Sequence, residues 1–376
     1  MPQHQYLLNC IYLPPMQTLH IHPDIRLAET PPAWFYRSAH VFEQLREKVF
    51  TYTWQFIGDT RMAPLNETVY PFTLLEHFID EPMLLTRCKN GQLHNLSNVC
   101  THRANLLVHH PAAVNKVVCK YHGRRFGLEG NFESMPEFKE ALGFPRPCDN
   151  LHTYPLQTWE QFLFTAIQPA YPLQPVIAKM QQRIGFLPLA DFVYDSRTSR
   201  DYLVQAHWAL YCDNYLEGFH IPFVHKDLNS ALDYGSYAVE LHDYFVLQIG
   251  YADKGTQTFV LPPSHPDYGK HVAAYYYWLF PNTMLNFYPW GLSVNVVKPI
   301  SMQRTRVSFL TYVYDEHLFA QGAAALIDKV EREDEFVVEG VQRGLQSRAY
   351  TTGRYSPARE GGVHHFHRLL AQFLAG

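Results

Sequence analysis

The chain has 376 residues, and 31 basic against 35 acidic side chains give a formal net charge of −4. At about 150 residues per domain, this length predicts two domains with ample room for a buried core. Hydrophobic residues at 47% and charged residues at 18% exclude a disordered chain, and the balanced charge argues against nucleic acid as a partner.

Taken in chain order, Ser38 to Val49 is predicted to be an amphipathic helix, with Ser38 as N-cap ahead of Val41, Phe42, Leu45 and Val49. From about residue 52 to 165, short β-type runs such as Met83-Leu84-Leu85-Thr86 and Val117-Val118-Cys119 alternate with turn residues, which predicts a small antiparallel domain. The proline-rich stretch Gln168 to Pro175 marks a boundary, because proline disfavours both helix and central strand. A second domain opens with Asp201 to Gly218, part of it helical. Between Tyr237 and Ile249, six of seven odd positions are apolar, the period of one half-buried strand. A long helix from about Ala323 to Leu345 and a closing helix from Val363 to Leu374 complete the chain.

Apolar runs fall well short of the roughly 18 residues that cross a bilayer, so no membrane partner is expected. The start Met1-Pro2-Gln3-His4-Gln5 lacks the basic opening of a signal peptide. A cytoplasmic protein is the expectation, with its six cysteines used for metal ligation or burial and not for a disulfide scaffold.

Cys100-Thr101-His102 and Cys119-Lys120-Tyr121-His122 are separated by sixteen residues. Each offers one thiolate and one imidazole, whereas zinc sites usually place two cysteines on one knuckle and two histidines elsewhere. The mixed pairs suit a [2Fe–2S] centre in which one iron takes both cysteines and the other both histidines. A zinc site or a purely structural role is the alternative.

The second dense signal is Asp213-Asn214-Tyr215-Leu216-Glu217-Gly218-Phe219-His220-Ile221-Pro222-Phe223-Val224-His225. Residues five apart on an ideal helix point about 140° away from each other. Pro222 cannot donate the backbone hydrogen bond, so a break there is expected to turn His220 and His225 toward one point. Two histidines and one acid form the facial triad of non-haem Fe(II) oxygenases. Asp334 is the candidate acid, in register with Ile327, Val330, Val338, Val341 and Leu345, while Glu331 and Glu333 fall off that stripe. A buried salt bridge or hydrogen bonds would equally satisfy such an acid.

Cys100-Thr101-His102-Arg103 and Cys119-Lys120-Tyr121-His122-Gly123 resemble the oxygenase branch of Rieske proteins. The places of the two extra cysteines of the respiratory branch are held by Asn105 and Tyr121. Ala104 and Arg124 depart from the Gly and Trp usual there. With Asp213 to His225, Glu333-Asp334, Glu339-Gly340-Val341-Gln342-Arg343-Gly344-Leu345 and His364-His365-Phe366-His367, nearly the whole chain resembles the α subunit of Rieske non-haem iron oxygenases, closest to the choline monooxygenase and carnitine oxygenase branch.

The resemblance implies an α+β fold: an N-terminal segment (1–44) on the catalytic domain, a small antiparallel-β Rieske domain (45–165), and a helix-grip catalytic domain (166–376), an antiparallel sheet with a long C-terminal helix. It implies a homotrimer in which Cys100, His102, Cys119 and His122 hold the cluster and His220, His225 and Asp334 hold Fe(II). Glu217 then links His220 to His122 of the partner subunit; a solvated helix acid is the plainer alternative. No Gly-rich dinucleotide fingerprint is visible, so NAD(P)H would act only through a separate reductase or ferredoxin. O2 would be the co-substrate in hydroxylating a C–H bond.

Tyr215, Phe219, Phe223, Tyr276, Trp278, Phe287 and Trp290 are candidate substrate contacts. Their faces suit a quaternary ammonium such as choline, betaine or carnitine, or stacking on an aromatic substrate, or plain core packing. Aromatic-ring dihydroxylation, an electron carrier without oxygenase activity, and a helix-grip binding protein without iron are the competing functions. His364-His365-Phe366-His367 and His109-His110 are read as packing or capping, and Cys10, Cys88, Cys148 and Cys212 as buried thiols. Arg103, Lys120, Arg124 and Arg125 form either a docking patch for an acidic donor or a solvated rim.

Overall fold

The computed structural model describes residues 18–225, 235, 237–252, 257–321 and 323–376. Cys10 lies outside them, as does the side chain of Ile327. The first long helix is Ala39–Lys48, and Ser38 Oγ accepts from Val41 N–H at 3.3 Å, which satisfies one of the helix's free donors. Val41, Leu45 and Val49 are buried in one core with Trp208, Phe366, Leu369 and Leu370, so this segment is fixed to the C-terminal half.

Residues 55–165 form three small antiparallel sheets. The main one centres on Thr68–Leu74, Glu81–Arg87 and Leu93–Ser97, with Met83 to Thr86 buried on both faces. A second sheet, Val117–Val118, Arg125–Phe126 and Phe132–Ser134, continues directly from the second Cys-His loop. Val69, Leu84, Leu96, Phe126 and both loop cysteines share its core. Cys148 is exposed, contrary to expectation, because it sits in a short turn at Pro147–Asp149.

The stretch after Gln168 is well packed: Trp54 Nε1 donates to Tyr171 O at 2.8 Å, and Tyr171 stacks on Tyr244 at 3.6 Å. Helix Gln174–Ile184 follows, with Pro175 in its first turn, where no amide donor is needed. An eight-stranded antiparallel sheet forms the rest, and its six longest consecutive strands run from Ala238–His242 to Arg304–Val313.

Tyr237 to Ile249 is a hairpin, not the single strand expected. Ala238–His242 and Phe245–Tyr251 pair through a turn at Asp243-Tyr244, with His242 opposite Phe245. A two-residue turn shifts parity, so odd positions of the two strands face opposite sides. Val239 accordingly packs on one core, and Leu247 and Ile249 on the other.

Helix Ala323–Gly344 packs on the helix Trp208–Tyr215, and helix Gly361–Ala375 closes the fold. In the latter, His364 Nε2 reaches His22 O and His365 Nε2 reaches His242 O, each at 2.8 Å. His367 Nε2 lies 2.7 Å from Asp213 Oδ1. All three histidines therefore anchor the helix. His109 and His110 are exposed.

Candidate active site and cluster loops

The two Cys-His loops have matching backbones. Cys100 N–H donates to Asn105 O and Cys119 N–H to Arg124 O, while Ala104 and Gly123 donate back to the two cysteine carbonyls. Both cysteines are buried, and the His102 and His122 rings lie 4.8 Å apart nearer the surface. Two thiols inside and two imidazoles outside is a donor set that fits a [2Fe–2S] cluster with one histidine-ligated iron. Asn105, standing where a disulfide would otherwise form, points Nδ2 at Cys119 Sγ from 3.8 Å.

Arg124 is neither a docking group nor part of a solvated rim, since only 1% of it is exposed. Its guanidinium bonds Asp149 Oδ1 at 2.8 Å and Asp149 O at 3.0 Å, and lies 4.9 Å from the Phe132 ring centroid. Asp149 O also accepts from Thr101 Oγ1 at 2.8 Å, so Asp149 ties one cluster loop to the other. The Arg124 bond and the Arg146 amide hold the Asp149 carboxyl below the usual range.

In the C-terminal half, helix Trp208–Tyr215 starts at His207, whose Nδ1 accepts from Ala209 N–H at 3.3 Å. The chain leaves the helix at Leu216, before Pro222 and not at it. Pro222 instead occupies the first turn of a short helix, Ile221–Val224, where it is tolerated. Gly218 makes the intervening turn possible, because a Cβ there would come within 3.1 Å of the Tyr237 ring. Glu217 fastens the turn: its carboxylate accepts from the Phe219 and His220 amides and meets His220 Nδ1 at 2.7 Å.

The result is convergence. His220 Nε2 and His225 Nε2 are 3.2 Å apart, and Asp334 Oδ1 lies 3.5 Å from the first and 3.0 Å from the second. Donors about 2.1 Å from one metal at right angles would be about 3.0 Å apart, so the three atoms fit one face of an octahedron.

Glu331 and Glu333 do not lie idle. Glu333 Oε2 meets His225 Nδ1 at 2.7 Å, so each imidazole has a carboxylate behind it. Glu331 is 2% exposed and takes a hydrogen bond from Tyr211 O–H, and burial pushes its carboxyl well up. The inward face of the long helix runs through Glu331, Val338, Gln342 and Leu345, while Val341 is 45% exposed. Val338 and Leu345 lie on this face as expected, but it also carries polar groups that bond neighbouring helices and loops, as Gln342 Oε1 does with His207 N–H at 2.9 Å, and apolar periodicity does not mark these.

A cavity of about 500 Å³ opens beside the three converging groups, and Tyr215 and Trp290 line it as expected, as does Tyr276. Four other candidates do not. Phe287 points to the opposite side of its strand, between Asn286 and Tyr288, which do line the cavity. Trp278 lies beyond the cavity, fully buried against Phe366. Phe219 and Phe223 face outward, 41% and 76% exposed. Gln248, Asn286 and Tyr288 were missed, since strand parity could be applied only once the hairpin turns were known, and so were Asn214 on the helix and Tyr237 just before its strand. Tyr215 O–H donates to Asn286 Oδ1 at 2.6 Å, and Tyr288 stacks on Trp290 at 5.0 Å.

A cluster-type domain joined to a sheet-and-helix domain with a two-histidine, one-carboxylate triad defines the Rieske non-haem iron oxygenases. Comparison with known proteins agrees. Residues 54–157 match the Rieske [2Fe-2S] domain, and residues 189–376 match the ring hydroxylating alpha subunit catalytic domain. The chain belongs to the ring-hydroxylating α-subunit family, and is thus an oxidoreductase with a Rieske cluster and a mononuclear iron centre.

It is 28% identical over 359 residues to chloroplastic choline monooxygenase of Arabidopsis thaliana, covering 91% of this chain and 82% of that one. It is also 28% identical over 362 residues to the carnitine monooxygenase oxygenase subunit of Escherichia coli K12, covering 92% and 94%. A quaternary ammonium Rieske monooxygenase solved with L-carnitine shares the fold, with TM-score 0.73, 22% identity, and coverage of 93% and 97%.

Proposed function

We propose that this chain is the oxygenase subunit of a Rieske monooxygenase acting on a quaternary or methylated amine. The observation that carries the proposal is the His220–His225–Asp334 group, with donor atoms 3.0 to 3.5 Å apart at the wall of an aromatic cavity. Cys100, His102, Cys119 and His122 hold the [2Fe–2S] cluster, and His220, His225 and Asp334 hold Fe(II). When bound, the cluster stores one electron at a time and the ferrous ion activates O2 for insertion into a C–H bond.

The chain's own residues prepare that chemistry. Glu217 and Glu333 accept the Nδ1 protons of His220 and His225, which leaves both Nε2 lone pairs directed at the metal. Tyr276, Tyr288 and Trp290 offer ring faces to a cation, each contributing about 0.5–2 kcal/mol, and together they exclude water. The amides of Gln248 and Asn286 lie in the same wall and suit a hydroxyl or carboxylate on the substrate. The two relatives act on choline and carnitine by their names, which favours this substrate class over an aromatic ring.

The oxygenase works as a cytoplasmic homotrimer fed by a separate reductase or ferredoxin. Phe219 and Phe223, exposed beside Glu217, form an apolar surface that His122 and the Rieske domain of the partner subunit would cover. O2 uptake by the iron-loaded protein with a reductase tests the proposal. Choline, glycine betaine, carnitine and γ-butyrobetaine should include a substrate that stimulates uptake and yields a hydroxylated or demethylated product. Turnover only with aromatic acids would refute it.

A further inference from the structure

The Rieske domain holds a second group of metal-type side chains, separate from its two cluster loops. Cys88 follows the strand Glu81–Arg87, His94 lies on Leu93–Ser97, and Glu129 lies in the turn between Arg125–Phe126 and Phe132–Ser134. The ladder brings them together: Thr86 pairs with His94, and Cys88 N–H donates to Gln92 O at 2.9 Å. Alternate residues of an extended chain share a face, and cross-strand partners share it too, so Cys88 and His94 point the same way. Thr86 Oγ1 then donates to Leu128 O at 2.6 Å, which pins the turn carrying Glu129 over that face.

One ligand atom from each of Cys88, His94 and Glu129 lies within 4.8 Å of the other two. His94 Nε2 is buried without a hydrogen-bond partner. A thiol, an imidazole nitrogen and a carboxylate thus lie within reach of one cation, which would give the buried imidazole nitrogen a partner.

We propose that Cys88, His94 and Glu129 form a zinc site that ties the hairpin after the second cluster loop to the main sheet. One sulfur, one nitrogen and one oxygen suit a borderline-soft divalent ion and disfavour calcium or magnesium, which take oxygen alone. Water completes the tetrahedron, and the Cys88 proton leaves to solvent on binding. At zinc bond lengths the donors sit about 3.6 Å apart, so binding draws the three groups together from their present separations of up to 4.8 Å, the exposed Glu129 side chain having the most freedom to move.

Zinc K-edge absorption on the iron-loaded holoenzyme with one added equivalent of zinc tests this. The wild type should show one sulfur neighbour at about 2.3 Å, and Cys88→Ser should lose it. Zinc bound at His220, His225 and Asp334 contributes no sulfur, and an unchanged EPR signal from the reduced cluster excludes the cluster cysteines as its source. Zinc affinity, read by competition with a chelating dye, should fall at least tenfold in both Cys88→Ser and Glu129→Gln. The second variant alters an exposed turn and does not endanger folding. Only nitrogen and oxygen neighbours in the wild type, or sulfur retained in Cys88→Ser, would overturn the proposal.

Discussion

Ala104 and Gly123 occupy the same place in the two cluster loops, four residues after each cysteine, with φ of 52° and 74°. Glycine adopts this region freely, whereas an alanine Cβ crowds the neighbouring carbonyl. Ala104→Gly should therefore stabilise the protein by about 1 kcal/mol, net of the added freedom of the unfolded chain, as a rise in the urea midpoint at constant slope. His207 poses the opposite problem. Burial holds its imidazole down at about 3, against an unfolded value near 6.5. Between those values the unfolded chain takes up a proton that the folded chain refuses, so stability falls as pH falls. The loss attributable to His207 should be about 2 kcal/mol from pH 7 to pH 5. His207→Asn keeps an N-cap acceptor and should remove that part of the decline in urea titrations at the two pH values. At Glu333, exchange for Gln takes a charge from behind His225 and should weaken iron binding about 10–100-fold, measured as the rate of iron loss to a ferrous chelator.

At the scale of elements, the sequence was most legible where one local signal decides the outcome. Ser38 caps its helix, the long helix ends at Gly344, and both Cys-His loops turn where their spacing requires. Parity across an unseen turn was not legible: Asp243-Tyr244 reverses the chain inside what reads as one alternating strand. On the long helix, the stripe was legible at Val338 and Leu345 and led to Asp334, whereas Glu331 and Gln342 were not legible as inward residues because each depends on a polar partner from elsewhere in the chain. Arg124 was misread for the same reason, since Asp149 lies 25 residues away and nothing local announces the pair. Removing Arg124 leaves the buried Asp149 carboxylate with only the Arg146 amide and its exposed guanidinium at 3.4 Å, so Arg124→Met should cost about 3 kcal/mol. Because Asp149 O also bonds Thr101, the variant should lose its cluster first, read as visible bleaching at a temperature where the wild type keeps its colour.

The proposed function carries one requirement beyond either domain: electrons stored at a cluster held by Cys100, His102, Cys119 and His122 would have to reach an iron held by His220, His225 and Asp334. In the proposed cyclic trimer with head-to-tail contacts, each chain's cluster would serve the iron site of one neighbour. In that proposed assembly the contact would cover Phe219 and Phe223, exposed beside Glu217. The consequence is complementation between two inactive chains. Cys100→Ala lacks the cluster but keeps the triad, and His220→Ala keeps the cluster but lacks the iron. Co-expressed in equal amounts so that mixed trimers assemble, a chain with an intact triad has an even chance of a neighbour with an intact cluster. Random closed trimers should then recover about one quarter of the wild-type rate per chain. Transfer within a single chain would give no activity at any mixing ratio, since no chain in the mixture holds both centres. Glu217→Gln placed on the triad-bearing chain should abolish the recovery with cluster EPR unchanged and with ferrous ion supplied in excess to offset the weaker binding expected at His220, which locates the link at that carboxylate and not in the trimer contact as a whole.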